Sequence, residues 1–254
     1  MKLSEVKGFN GSEILFFVKF TKNEFVDTLV AGNLYMNPVK YFIELEEKSK
    51  ERGQGDKLEG ANIIKNVSLT FYEYGTDNVV LDGLEGTTII ERNHVYDKAP
   101  VFCMTAFTSK DFKIIDESDT SYTVDFDMTE EDKDIIKKTF GEKAVILNAV
   151  KFIDILDKHT LDNSVDYTAG LVNYYDYNTN EEKRIANYGK THSTTIFNKD
   201  DFFKIQREFR IILPYVSSED AYIFHIDNFN EIMPYVSDTS DLFNSFRMEI
   251  LKKK

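Results

Sequence analysis

Between residues 62 and 127 the chain carries strand-like segments without helical periodicity, and helical spacing flanks that block on both sides. This arrangement constrains the fold more than any motif does. Strands that follow one another pair before helices can intervene, which gives antiparallel or mixed sheets with helices at the periphery. Within the block Val67, Leu69 and Phe71 alternate with polar neighbours, and residues 87–91, 101–107 and 121–126 are rich in β-formers. The expected class is α+β, with a mixed or mostly antiparallel sheet in one domain over residues 1–254. No internal repeat and no Gly/Pro/Ser-rich linker divides the chain, and the loops around 48–60 and 178–198 read as insertions.

The flanks supply the helices. Residues 14–20 read as a strand, Thr21-Lys22-Asn23-Glu24 has capping-box spacing, and Phe25, Val26, Leu29 and Val30 follow at helical spacing up to Gly32. Asn37-Pro38 opens a second helix, with Pro38 at its first position and Tyr41, Phe42 and Leu45 as its buried stripe. Its end runs into the charged stretch EEKSKER, read as a solvated helix end. Beyond the strand block, Thr129 begins a helix that Gly141 ends. Residues 144–147 form a buried strand leading into a helix that carries Val150, Ile153, Ile155 and Leu156. Further strands are expected at 171–177, 208–213 and 221–226, and a last helix from about Ser240 to Leu251.

Composition narrows the function. The net charge of −13 disfavours broad binding to DNA or to anionic membranes. The longest apolar run, residues 14–18, is too short to cross a bilayer, and the first 17 residues lack the pattern of a signal peptide. A cytoplasmic protein with no membrane partner is expected. The one cysteine, Cys103, excludes an internal disulfide and sits in an apolar strand, where a small buried hydrophobe is the simpler reading. No GxGxxG or Walker A loop is present. His94, His159, His192 and His225 lack metalloprotease spacing and read as structural or solvated.

The stretch FKIQREFRIIL, residues 203–213, stands apart. Gln206, Glu208 and Arg210 recur at two-residue spacing, which on a strand places all three on one face. That face is either a solvated sheet surface with modest cross-strand ion pairs or a functional site centred on Glu208. Asp56 and Glu59, between Gly55 and Gly60, are either loop carboxylates or an acid pair facing Glu208.

Several pieces resemble a bacterial and phage family found in abortive-infection and other phage-defence loci. They are Leu34-Tyr35-Met36-Asn37-Pro38, the pair Tyr41-Phe42, the loop Gly55-Asp56-Lys57-Leu58-Glu59-Gly60, VFCMTAFTS, VILNAVKFIDIL, LVNYYDY and the Q-x-E-x-R element, in the family's order over residues 14–213. The resemblance implies a defence context more than a reaction. A looser resemblance is to ADP-ribosyltransferases, which carry a basic residue on an early strand, a Ser/Thr-rich strand mid-chain and a late Gln-x-Glu. Here those elements correspond to Lys19, to Thr105-Ala106-Phe107-Thr108-Ser109 and to Gln206-x-Glu208, although Lys19 replaces the usual Arg and FTS replaces STS. The resemblance implies an ADP-ribosyltransferase-like core that uses NAD. Lys19, Thr108, Ser109 and Arg210 would hold the cofactor, Glu208 would stabilise the oxocarbenium-like ribose, and Gln206 would orient the acceptor.

This reading makes two demands. Lys19, Thr108 or Ser109, and Glu208 must line one cleft, with Lys19 and Glu208 on the same face of the sheet. The 48–60 loop must border that cleft, its glycines permitting close approach of a ligand. Two alternatives stay open. One is a ribonuclease or other phosphodiesterase in which Asp56, Glu59 and Glu208 share Mg²⁺, with Lys199 or Lys204 near the phosphate. The other is a non-catalytic sensor in which Gln206, Glu208 and Arg210 are structural. The partner would be a phage or host protein or an RNA, and self-association into a homo-oligomer is left open.

Overall fold

The computed structural model of the chain describes residues 1–50, 52–188 and 192–252, without the side chains of 187, 188 and 192–194. Glu51 of the charged run and the side chain of His192 therefore lie outside the described residues. The chain opens with β1 (Ile14–Thr21), α1 (Val26–Val30), β2 (Asn33–Pro38) and α2 (Val39–Ser49). The strand block follows as β3 (Ala61–Tyr72), β4 (Val79–Arg92), β5 (Pro100–Thr108), β6 (Phe112–Glu117) and β7 (Ser121–Phe126). Next come α3 (Glu130–Phe140), β8 (Lys143–Asn148), α4 (Ala149–Asp162), β9 (Thr168–Leu171), β10 (Asn173–Tyr175), α5 (Glu182–Tyr188) and β11 (Asn198–Asp200). The chain closes with β12 (Glu208–Ile212), β13 (Tyr222–His225), β14 (Tyr235–Asp238), α6 (Thr239–Ser245) and β15 (Met248–Leu251). The class is α+β, and the described strand pairs are antiparallel except β10 with β11.

Strand β5 organises the main sheet, because the sheet forks along it. One edge of β5 pairs with β12 over Val101 to Thr105, and β12 pairs in turn with β9. The other edge serves two partners. Residues Thr105 to Thr108 pair with β1, which continues to β8 and β14, whereas Pro100 and Val101 pair with β2, which continues to β13. Between Val101 and Thr105, residues 102–104 have no strand partner on that edge. The two arms splay apart there.

Side-chain alternation divides the core across this sheet. Phe17, Met104, Phe209 and Ile211 point to one face and pack with Phe152 and Leu156 of α4. Phe16, Val18 and Phe107 point to the other and pack with Phe112, Phe126 and Phe243. The hairpin of β3 and β4 forms a separate two-stranded ribbon, with exposed Phe71, Tyr72 and Leu81.

Four expected helices differ from the sequence reading. No capping box forms at Thr21, which ends β1; a 3-10 turn over Asn23–Phe25 with Lys22 as N-cap leads into α1 without a side-chain cap. In α2, Pro38 is the N-cap rather than the first helical residue, and Val39, Ile43 and Glu46 are the buried positions. Tyr41, Phe42 and Leu45 turn toward an open cleft instead. In α4 the buried side chains are Ala149, Phe152, Leu156 and Thr160, and Val150 is exposed. The last helix stops at Ser245, and Met248–Leu251 forms a strand on the edge of β7. Helical spacing alone did not separate these outcomes, because a free strand edge in the tertiary structure claims the segment.

Candidate functional site

The fork in the sheet opens a cleft of about 290 Å³. One wall is β5 at Phe102, Cys103 and Thr105, and the splayed arms contribute Lys19 from β1 and Tyr35 from β2. Tyr41 and Phe42 of α2 lie over it, and Gln54 and Glu59 of the following loop border it. The 48–60 loop thus adjoins the cleft as the sequence reading required. Its Gly55 serves a different purpose from ligand approach. A Cβ there would stand 2.5 Å from the Glu46 nitrogen and 2.9 Å from the Phe42 carbonyl oxygen, so only glycine lets the loop lie against the backbone of α2. The Asp56 N–H donates to the Phe42 carbonyl at 3.0 Å, and the Lys57 N–H to the Glu46 carboxylate at 2.9 Å.

The Q-x-E-x-R residues do meet, but not as one strand face. Gln206 ends a 3-10 turn, Arg207 takes a left-handed conformation with φ 47°, and only Glu208 and Arg210 belong to β12. All three are buried, with exposures of 9% for Gln206, 5% for Glu208 and 2% for Arg210, which overturns the solvated-face alternative. Lys199 from β11 joins them. Its ammonium donates to Gln206 Oε1 and to Glu208 Oε2, both at 2.9 Å. Arg210 Nε donates to Glu208 Oε1 at 2.6 Å, and its Nη atoms grip both oxygens of Glu59 at 2.5 and 3.0 Å. A further Arg210 hydrogen bond reaches the Ile196 carbonyl, and Gln206 Nε2 donates to the Gly53 carbonyl at 2.7 Å. The network therefore ties the 48–60 loop to the sheet.

Two carboxylates and two cations balance here, which is the condition for burying charge at tolerable cost. Burial pushes the Glu208 carboxyl up, but Arg210 and Lys199 more than reverse that and hold it well below the usual carboxylate range. Burial likewise opposes the Lys199 charge, and Glu208 and Glu59 outweigh it, so its pKa is raised. Asp56 behaves differently. Burial, reinforced by neighbouring Glu59, pushes its pKa up to about 7. Its Oδ1 accepts from the Leu58 N–H at 2.9 Å, while Oδ2 has no hydrogen-bond partner among the described residues.

The remaining sequence candidates divide. Lys19 and Glu208 both line the cleft, yet from opposite faces of the sheet. Val18 pairs with Thr105 and Thr105 with Glu208, so those three share a face and Lys19, one residue on, points away from it. The Lys19 ammonium fills the fork, donating to the unpaired Cys103 carbonyl at 2.6 Å and lying 4.7 Å from the Phe102 ring centroid. The same-face arrangement is therefore corrected.

Thr108 and Ser109 are not among the cleft residues. Thr108 caps a 3-10 turn with Asp111, whose carboxylate also accepts from Arg207 Nε at 2.5 Å. Thr105 supplies the cleft hydroxyl instead, donating to the Gln206 carbonyl at 3.0 Å. Arg210 is committed to Glu59 and Glu208, and Lys204 is not a cleft residue. Among the described residues no three His, Cys, Asp or Glu side chains group as metal ligands, and Glu59 and Glu208 are each taken up by cations. Among them, too, no helix is long and apolar enough to cross a membrane. Cys103 lines the cleft half-buried, and burial pushes its thiol pKa up.

Sequence reasoning missed two residues, half-buried Tyr174 and buried Arg184. Tyr174 accepts the Glu208 backbone N–H at 2.8 Å through its hydroxyl. Arg184 of α5 donates to the Asn62 side chain and the Ile63 carbonyl and so holds β3 to α5. Nothing in the local pattern around Arg184 distinguishes it from a solvated arginine.

The structure thus defines an α+β protein with a forked sheet, an aromatic-walled cleft and a buried, charge-balanced floor. The chain matches no protein-family model, no curated protein and no solved structure.

Proposed function

We propose that the chain is a ligand-binding sensor in phage defence of the abortive-infection type, with the forked-sheet cleft as its binding site. The cleft's construction supports this reading. Partly exposed rings from β2 and α2 stand at its sides, and its floor is an ion-pair network in which both Glu208 oxygens are already engaged. Against the effect of burial, Arg210 and Lys199 hold the Glu208 pKa well below the usual carboxylate range, which makes it a poor proton acceptor for general-base work. A binding site needs shape, apolar walls and a few fixed polar groups. At about 290 Å³ the cleft is at the lower end of the range for small-molecule sites. The defence context rests on the resemblance carried by the Gly55–Gly60 loop and the Q-x-E-x-R element, which meet in the Glu59–Arg210 pair.

The test uses the exposed rings Tyr35 and Tyr41. Replacing both with Ala should leave the melting temperature almost unchanged and abolish protection in phage plating. Full protection by the double variant would sink the sensor reading.

A second reading is ADP-ribosyl transfer from NAD with Glu208 as the catalytic carboxylate. Gln206 and Glu208 stand side by side in the cleft in its favour, but Thr108 and Ser109 lie outside the cleft and Lys19 falls on the other face from Glu208, so the cofactor-holding roles of those three are not part of it. It requires Glu208 to part from Lys199 when substrate binds. Release of nicotinamide from NAD by the purified protein, lost in Glu208→Gln, would put this reading first.

A further inference from the structure

The cleft carries a charge of opposite sign to the chain. Its ionisable lining consists of Lys19, Lys22, Lys199 and Arg210 against Glu59 and Glu208, an excess of two positive charges in a protein of net charge −13. Lys199 and Arg210 are matched by the two glutamates. Lys22 is exposed and stands 4.0 Å from Glu24. The charge left over belongs to Lys19.

Among the described residues Lys19 has one hydrogen bond, to the Cys103 carbonyl, and no carboxylate at ion-pair distance. An ammonium has three donors, so two of them are available to an occupant of the cleft. Burial disfavours the charge of this ammonium and only Glu208 and Cys103 oppose that, so its pKa is lowered. The half-buried ammonium faces the open cleft with those two donors unmatched among the described residues, and an anionic ligand there would neutralise it. Aromatic side chains line the same cleft. Phe102 lies beneath the ammonium, Tyr41 and Phe42 meet edge-on with centroids 5.4 Å apart, and Phe25 stacks with Tyr35 at 6.4 Å.

We infer that the ligand is a small organic anion with a flat ring, its carboxylate or phosphate paired with Lys19 and its ring held by the aromatic walls. This inference rests on the reading of the cleft as a ligand site. It assigns Lys19 a binding role although Lys19 and Glu208 do not share a face. The low dielectric of the site strengthens the pair and shields it from salt.

The experiment measures binding of two matched pairs of probes, adenosine 5′-monophosphate against adenosine and benzoate against benzamide. The proteins are the full chain, Lys19→Met and Lys19→Arg. The full chain should bind the anion of at least one pair at least tenfold more tightly than its neutral counterpart. Lys19→Arg should keep that preference and Lys19→Met should lose it. Equal binding of anion and neutral probe, or a preference that survives in Lys19→Met, would overturn the inference while leaving the cleft reading standing. Binding of neither member of either pair would overturn both.

Discussion

Replacing Glu208 with Gln tests whether the charged floor is a buried network or a screened surface cluster. The change is nearly isosteric, so packing is preserved and the effect is electrostatic. Glu208 accepts from Arg210 Nε at 2.6 Å and from Lys199 Nζ at 2.9 Å. A glutamine offers one acceptor oxygen, and its amide nitrogen would face one of the two cations donor to donor. The cluster would also change from balanced to a net positive charge inside the protein. Removing one partner of a buried ion pair costs about 3–5 kcal/mol, against about 0–1 kcal/mol for an exposed one. For a chain of this size each kcal/mol moves the melting temperature by roughly 2–4 °C, so a fall of about 10 °C is expected.

The pH dependence supplies a second readout. The folded Glu208 pKa lies below its ordinary value of 4.5. Its stabilisation is therefore complete above that pH and is lost as pH falls through the lowered folded value. Urea melts of both proteins should show a gap that is full at pH 7 and narrows below pH 4.5, with unchanged slope against urea. A cycle with Arg210→Met should reveal coupling of about 1–3 kcal/mol between the two sites. A loss under 1 kcal/mol at pH 7, with no narrowing in acid, would refute the argument.

Asp56 should act in the opposite direction. Its pKa is raised from 3.8 to about 7, so the folded state holds the extra proton in that window and stability falls as pH rises through it. The roughly three units involved set an upper bound of about 4 kcal/mol, and Asp56→Asn should flatten the fall when urea midpoints are compared across that window. Gly55→Ala should cost about 1–3 kcal/mol by overpacking and reduce ligand affinity, since its Cβ would press on the α2 backbone and displace the loop that carries Glu59. Hydrogen exchange should then show the 52–60 segment losing protection, and unchanged exchange there would contradict this account of the loop.

What the sequence determined by itself was set by local rules. The uninterrupted strand block, the Thr129 cap and the Gly141 stop of α3 follow from alternation, side-chain capping and backbone freedom, all properties of a few adjacent residues. The same holds for the α+β class. Candidate residues of the site were also legible, because the two-residue spacing of Gln206, Glu208 and Arg210 and the Gly-flanked pair Asp56 and Glu59 are read directly from adjacent positions.

Their arrangement was not legible. Regular spacing placed Gln206, Glu208 and Arg210 on one strand face, solvated or functional, whereas Gln206 ends a 3-10 turn, Arg207 is left-handed after it, and burial by the loop makes the three a network. Residues 59 and 210 meet across 151 positions of sequence, and no local pattern encodes that partnership. The face on which Lys19 falls depends on register between β1, β5 and β12, where a shift of one residue reverses every side chain. The strand at Met248–Leu251 and the turning of Tyr41 toward a cleft likewise depend on which edges and faces the rest of the fold leaves open. Periodicity specifies which side chains are apolar. Only the tertiary structure decides what each face meets, because the free energy of burying a charge or pairing an edge is set by partners distant in sequence.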